Sequence, residues 1–380
     1  MALISWSKAK RGINLALKAN LVPVLVGHAG IGKTEICQQI AEENNFGWVK
    51  PLNISNTKEG EMSMPFIAKI DGKPVVVYAP HSTLEEAKRL AENEYKDSHV
   101  LLLIDELNRG DTAVITEGMQ LIQSRRINNF ELPDNVKIIC AMNPSADMDD
   151  FEESDYAVTS IDNAIIDRGA FFYIDADPDS WIDWATGQIK INGEIVSRVE
   201  EKVYEFIESN KPMLHQIKST EYNKPTPRSW FKVSEAYRAM INNNEFDEND
   251  FRLVSQGLVG STATHQFLSF LRKSTKPLLK PSEIFANNGL SKEHKYKLEK
   301  EETNPRRTMI AKSCIHYVIT ERKRDNFPTL IQLIDIMPGD IKIMLMKGIK
   351  RDYPKLHNEL IKNNNYQDAF FELIGKLIES

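Results

Sequence analysis

Cysteine is scarce: Cys37, Cys140 and Cys314 are far apart, odd in number and free of CxxC or CxxH spacing, which excludes a disulfide framework. They predict buried apolar thiols in a reducing compartment. No uninterrupted apolar run approaches the roughly 18 residues a membrane helix needs, and the first ten residues, MALISWSKAK, lack the long apolar core of a signal peptide. The expectation is a soluble, cytoplasmic protein with no membrane contact. Positive charge is not in excess either. Forty-eight Lys and Arg against 54 Asp and Glu leave a net charge of −6, which excludes a generally basic nucleic-acid coat though not a local basic groove. The eight histidines have no HExxH or other ligand spacing, no GxSxG elbow occurs, and there is no internal repeat or extended low-complexity tract.

What is present suits two or three domains, since 380 residues at about 100–200 per domain can bury ample apolar surface. Trp6, Ala9, Ile13, Ala16 and Leu17 recur at helical spacing and predict an amphipathic helix ending at Ala19-Asn20, followed at once by an apolar strand, Leu21 to Val26. After Gly27 to Gly32, a second helix presents Ile36, Cys37, Ile40 and Ala41 on one face and closes at Glu42 to Asn45. Strand, glycine loop and helix in that order open an α/β nucleotide-binding unit. Two runs between Phe66 and Ala79 flank Asp71-Gly72, a pair that favours a tight hairpin turn. Val100 to Ile104 reads as a strand buried on both faces of a parallel sheet. Asp111 is expected to cap a predicted helix, Thr112 to Ser124. The stretch RINNFELPDNVKIICAMN reads as another hairpin whose second strand, Val136 to Met142, enters the core, and Ala170 to Ile174 is the last predicted strand. From Trp181 the pattern is helical: Val196 to Ile207, Ser229 to Ile241, Phe251 to Val259 and Thr264 to Leu271. The charge-rich run Ser291 to Arg307 is expected as a linker or solvated helix before a further helical segment, Met309 to Ser380.

Two motifs carry chemistry. GHAGIGKT fits GxxxxGK[ST] and sits after a strand and at the start of a helix, as its mechanism requires. Backbone N–H groups of Gly27, His28, Ala29, Gly30, Ile31 and Gly32 can wrap phosphate oxygens, Lys33 adds a point charge at the β and γ phosphates, and Thr34 can ligate magnesium. VLLLIDEL then delivers Asp105 to the sheet's carboxyl edge, where it can hold the magnesium shell, with Glu106 beside it to polarise a water. A carboxylate after a strand is by itself only a solvated strand end; the phosphate loop upstream gives this pair its hydrolytic reading.

These motifs, with IDELNR (Ile104 to Arg109), AMNP (Ala141 to Pro144), IDNAIIDRGAFF (Ile161 to Phe172) and TPRSW (Thr226 to Trp230) in that order, resemble the AAA+ ATPases and specifically the MoxR-like group. The resemblance covers about Leu21 to Trp230. It implies a P-loop NTPase αβα sandwich with a parallel sheet over residues 1–178, a helical lid over 179–280 and a C-terminal helical extension over 281–380. It also implies ATP and Mg2+ bound between subunits of a ring, a hexamer. Asn143 matches the first sensor, an amide that orients the attacking water. Arg168 matches the arginine projected into a neighbour's site, although Gly169-Ala170 follow it where the family has Phe; Arg109, Arg125 and Arg126 are rivals for that role. Arg228 matches the second sensor, acting in cis or on the neighbour's nucleotide. With Thr226 as cap and Pro227 at the first helical position, it stands in a first turn where the helix dipole disfavours a cation by about 0.3–1 kcal/mol unless a phosphate is near. The long helical stretch expected over Gly193 to Tyr222 has room for the group's inserted helix.

The hairpins at Phe66 to Ala79 and Arg125 to Ile139 correspond to the group's two insertions. In a ring both would point toward the central opening, with Lys69, Ile70, Lys73 and Val75 as candidates for gripping a partner chain. The implied function is chaperone-like remodelling or assembly of a protein partner, often one carrying a von Willebrand factor A domain. Two other classes stay open: a nucleic-acid motor or restriction-type NTPase subunit, and a non-hydrolysing scaffold. The first would need several basic or aromatic residues in its loops, and retention of Lys33, Asp105 and Glu106 speaks against the second. Lys342, Lys347, Lys350, Arg351 and Lys355 read as a solvated face, and Trp181, Trp184 and Trp230 as core.

Overall fold

The computed structural model describes residues 3–146, 148, 151, 156, 158, 169–191, 193–242, 246–274, 276–286, 289–321 and 324–378. The chain divides into two compact units, residues 1–177 and 178–380.

In the first unit, α1 (Trp6–Lys18) ends through Asn20, whose positive φ of 57° lets the chain turn straight into β1 (Val22–Val26). The phosphate loop leads to α2 (Lys33–Asn44), again closed by a left-handed asparagine, Asn45. Two short strands follow, β2 (Gly47–Trp48) and β3 (Leu52–Asn53), then the hairpin β4 (Ser63–Ile70) and β5 (Lys73–Pro80). Asp71 and Gly72 both adopt positive φ, 51° and 77°, which is what a two-residue turn matched to strand twist demands. Then come α3 (Ser82–Glu92), β6 (Val100–Asp105), α4 (Thr112–Ser124), β7 (Arg126–Ile127), β8 (Phe130–Glu131), β9 (Val136–Met142) and β10 (Gly169–Tyr173).

The central sheet has the order β10-β1-β9-β6-β2, with β3 also beside β6, and every pairing in it is parallel. Alternate residues of one strand serve opposite faces. Leu25, Leu101, Leu103, Ile139 and Ala141 pack with Ala9 and Ile13 of α1 and Ile36 and Ile40 of α2. Val24, Val26, Leu102, Ile104 and Ile138 pack on the other side with Leu84 and Ala87 of α3 and Val114 and Met119 of α4. Each Val, Leu, Ile or Met among them contributes about 1.5–3 kcal/mol by leaving water, and this double coverage is why VLLLI runs without a polar break. The unit is a P-loop NTPase αβα sandwich. Val136–Met142 is not the second strand of the hairpin read from sequence: that hairpin closes locally as Arg126–Glu131 and Ile127–Phe130, and β9 runs parallel between β6 and β1. All three cysteines are buried, and burial pushes the Cys37, Cys140 and Cys314 thiols up.

The second unit opens with the helix Pro178–Ala185 and an antiparallel hairpin, Gln188–Ile191 with Glu194–Ser197. The helix read from Val196 is corrected accordingly. Val196 pairs with Ile189 and Ser197 with Gln188, and the helix spans Glu201–Ser209. Apart from one 3-10 turn at Lys211–Met213, no helix lies between Ser209 and Pro227, so Gly193 to Tyr222 is not one helical stretch. The helices Phe251 to Val259 and Thr264 to Leu271 appear as a single element, Glu248–Lys273, broken at Gly260 (φ 82°, ψ 171°).

Trp230, fully buried, packs with Phe206 and Phe267 at 5.3 and 5.7 Å and donates from Nε1 to Met213 O at 2.7 Å. The same apolar core continues through Met309, Leu330, Leu345 and Tyr366. Part of the charge-rich run is inside it rather than solvated. Leu298 and Glu302 are buried, and Arg306 binds Glu302 (2.6 Å), Glu205 and the Pro277 carbonyl (2.9 Å). The predicted solvated run therefore supplies the core's charged seam. Among the described residues no helix is long and apolar enough to cross a membrane.

Candidate active site

The register of the sheet gathers the chemistry. Val26 at the end of β1 pairs with Met142 at the end of β9, so Gly27 and Asn143 leave the sheet side by side, and Ile104 pairs with Cys140, which brings Asp105 to the same edge. Gly30 and Gly32 take positive φ, 80° and 101°, and a Cβ on Gly27 would lie 2.7 Å from the Ile174 carbonyl oxygen. The loop can wind only with glycine at these points.

Lys33, 9% exposed, donates from Nζ to Gly27 O (2.6 Å), His28 O (3.0 Å) and Asn143 Oδ1 (3.0 Å). Its ammonium is thus held at the mouth of the loop by oxygens of β1's end and of the expected first sensor. The Thr34 hydroxyl donates to Asp105 Oδ2 at 3.1 Å, and Asp105 Oδ1 accepts from the Glu106 amide at 2.9 Å. Glu106 has a positive φ of 54°, uncommon for a residue with a side chain. Its carboxylate accepts from the Ser55 hydroxyl and, at 3.1 Å, from Arg109 Nη1. Asn108, 1% exposed, donates from Nδ2 to Asn143 O at 2.8 Å and so ties the segment after β6 to the segment after β9. A cavity of about 800 Å³ beside these groups is lined by Ser55, Lys58, Asn108, Arg109 and Asp111 among others.

The structure brings together Gly27 to Thr34, Asp105, Glu106 and Asn143. Arg168 lies outside the described residues. Arg228 belongs to the second unit: exposed in the first turn of the helix Pro227–Asn242, it follows a reciprocal cap in which Ser229 N donates to Thr226 Oγ1 (3.1 Å) and Thr226 N to Ser229 Oγ (2.8 Å). Of the rival arginines, Arg109 pairs with Glu106, Arg126 pairs with Glu131 at 2.8 Å, and Arg125 donates to Pro133 O and Val136 O at 2.5 and 2.6 Å, its burial lowering its pKa. Sequence reasoning missed Ser55, Asn108 and Tyr156. Asn108 sat inside a quoted motif, but Ser55 and Tyr156 reach the site across 51 and 127 residues and leave no local signal.

Residues 23–168 match the family model of the AAA domain, dynein-related subfamily. No curated protein sequence matches the chain. Solved structures that resemble it include the Thermotoga maritima RuvB Holliday junction branch migration motor, at 15% identity over 70% of each chain with a TM-score of 0.34. A point mutant of the same RuvB aligns over 87% of this chain and 89% of its own at 13% identity and a TM-score of 0.38. A Cytophaga hutchinsonii protein described as a putative ATPase aligns over 72% and 91% at 12% identity and a TM-score of 0.34. At such scores the domain match and the site's own geometry carry the assignment. Residues 23–168 match an AAA domain, and the chain is an ATP-hydrolysing P-loop ATPase.

Proposed function

We propose that this ATPase is MoxR-like: a ring, hexameric by the resemblance, in which Mg2+-dependent ATP hydrolysis remodels or assembles a protein partner in the cytoplasm. In this reading residues 1–178 hold the nucleotide, 179–280 form the lid and 281–380 extend it. Lys33 and the amides of Gly30 to Thr34 bind the phosphates, on a loop begun by Gly27, His28 and Ala29. Thr34 and Asp105 offer two hard oxygens 3.1 Å apart, a donor set that fits magnesium. Bound there, the ion would neutralise charge building on the phosphoryl oxygens. Glu106 takes the part of the water-polarising base once its carboxylate exchanges Ser55 and Arg109 for water, and Asn143, already fixed by Lys33 and Asn108, orients that water. Arg168 would enter from a neighbouring subunit, and Arg228 would contact nucleotide in cis or in trans.

The observation that favours a protein partner is the hairpin β4–β5. Met64, Phe66, Ile67, Ile70, Val75 and Val76 are 40–74% exposed on it, whereas Lys69 and Lys73 are its only cations. Pro65, Pro74 and Pro80 remove N–H donors from this two-stranded ribbon, so its side-chain faces rather than its edges are suited to contact. A nucleic-acid motor would line such a ribbon with cations. A photo-crosslinker at Ile67 in the Glu106→Gln form with ATP tests the reading. Nucleotide-dependent cross-links to a protein, a von Willebrand factor A domain protein among the candidates, are expected. Cross-links to DNA or RNA, with salt-dependent binding in titration, would favour the motor instead.

A further inference from the structure

Tyr156 belongs to neither motif, yet its hydroxyl meets the phosphate loop. The Ala29 amide donates to Tyr156 Oη at 2.9 Å, and His28 Nδ1 stands 3.4 Å from the same oxygen. The other end of that peptide group, the His28 carbonyl, accepts from Lys33 Nζ at 3.0 Å. No cis peptide occurs among the described residues, and in a trans peptide the C=O and N–H point in opposite directions. One peptide plane is therefore held from two sides, by the Lys33 ammonium at its oxygen and by the Tyr156 hydroxyl at its N–H. Rings steady the arrangement. The His28 imidazole, 6% exposed, lies 5.2 Å from the Phe151 ring and 5.9 Å from that of Tyr156, and Phe151 is itself 3% exposed.

We propose that Tyr156 is a positioning residue of the nucleotide site, its hydroxyl fixing the His28–Ala29 peptide so that the His28 carbonyl faces Lys33. The phosphate-loop pattern leaves both positions open, and Gly30 next to them, with φ at 80°, gives the segment freedom to rotate. Turned over, this peptide would aim its N–H at the ammonium and its carbonyl away. Lys33 would lose one of the oxygens that hold it, and the loop would then have to reorder when phosphates bind. Hydrogen bonds at both ends of one peptide, to an ammonium at its oxygen and a hydroxyl at its N–H, also polarise it, which strengthens each bond while the other is present. The proposal rests on the loop being the nucleotide site and adds to it a residue more than 120 positions away.

Tyr156→Phe removes one oxygen and keeps the ring against His28, so the fold is retained. A neutral hydrogen bond of this kind is worth about 3- to 10-fold in the population of the ordered loop. Calorimetric titration with ADP, which needs no turnover, should show Kd raised by that factor, and steady-state hydrolysis should show KM raised similarly with kcat within about 2-fold, because saturating nucleotide reorders the loop. A merely structural role would instead lower the active fraction, and with it kcat, at unchanged KM. Wild-type Kd for ADP in the variant, or a fall in kcat alone, overturns the proposal. Lys33→Ala separates this failure from a failure of the site itself: if that variant binds ADP like the wild type, the nucleotide site is elsewhere.

Discussion

Replacing Gly260 by alanine tests how the second unit bends its longest helix. Gly260 sits within Glu248–Lys273 at φ 82° and ψ 171°, a conformation open almost only to glycine. An added Cβ would lie 2.4 Å from Glu221 Oε2 and 2.5 Å from Asn223 O. The Glu221 carboxylate cannot simply withdraw, since it accepts from the Ser261 and Thr262 amides and the Thr262 hydroxyl and so caps the helix that restarts after the break. These bonds, the Thr262 hydroxyl first, hold its carboxyl below the usual range. Backbone strain of about 1–3 kcal/mol sets the expected cost of Gly260→Ala, and displacement of the Glu221 carboxylate adds to it. Urea unfolding monitored by tryptophan fluorescence, to which Trp181, Trp184 and Trp230 contribute from the second unit, should show the midpoint falling at unchanged m, with wild-type ADP affinity in the folded protein. A cost below about 0.5 kcal/mol would mean that the helix runs straight through this point and that Glu221 caps nothing.

Three further outcomes are expected. Arg306→Met leaves Glu302, 6% exposed, without its guanidinium and Glu205, 5% exposed, with Lys202 alone, and should destabilise by about 3 kcal/mol, read by chemical denaturation, because removing one member of a buried set leaves a buried carboxylate uncompensated. Burial opposes ionisation of Asp183, but the His316 hydrogen bond and the Lys312 charge outweigh it and hold its carboxyl well below the ordinary range. Its folded pKa is thus depressed, so its stabilisation is full above about pH 4 and is lost as pH falls toward the folded value; the melting-temperature gap between wild type and Asp183→Asn should be widest at neutral pH and close only in acid. Mixed Arg168→Ala and Lys33→Ala subunits should partly recover hydrolysis in a phosphate-release assay, because some sites then have an intact loop and an intact neighbouring arginine; mixed rings as inactive as their components would assign the role elsewhere, with Arg109 next to test.

The site was legible where chemistry is local and the fold where burial is two-sided. GHAGIGKT and VLLLIDEL each state their geometry within eight residues, and helices above and below the sheet make a strand such as Leu101 to Ile104 apolar without alternation. β2 and β3 escaped because two residues carry no period. The hairpin Gln188–Ser197 had a signal, Asn192-Gly193 between two β-branched runs, that the surrounding helical pattern overrode. Charge misled at Ser291 to Arg307, since a run of Lys and Glu looks solvated until Arg306 is found between Glu205 and Glu302, partners from distant and near parts of the chain. Ser55 and Tyr156 belong to the same class. A hydroxyl that finishes a site through tertiary contact has no sequence neighbourhood to announce it.

The central claim is that Lys33 binds and Glu106 reacts, and one paired measurement addresses it most directly: ADP or ATP affinity by calorimetry beside phosphate release, for wild type, Lys33→Ala and Glu106→Gln. Lys33→Ala should lose most nucleotide affinity, since a charge buried against Gly27, His28 and Asn143 has no substitute at the phosphates. Glu106→Gln should bind within a few-fold of wild type and lose turnover by about 10² or more, since an amide accepts no proton from water. Equal loss of binding in both variants, or undiminished phosphate release from Glu106→Gln, would contradict the account.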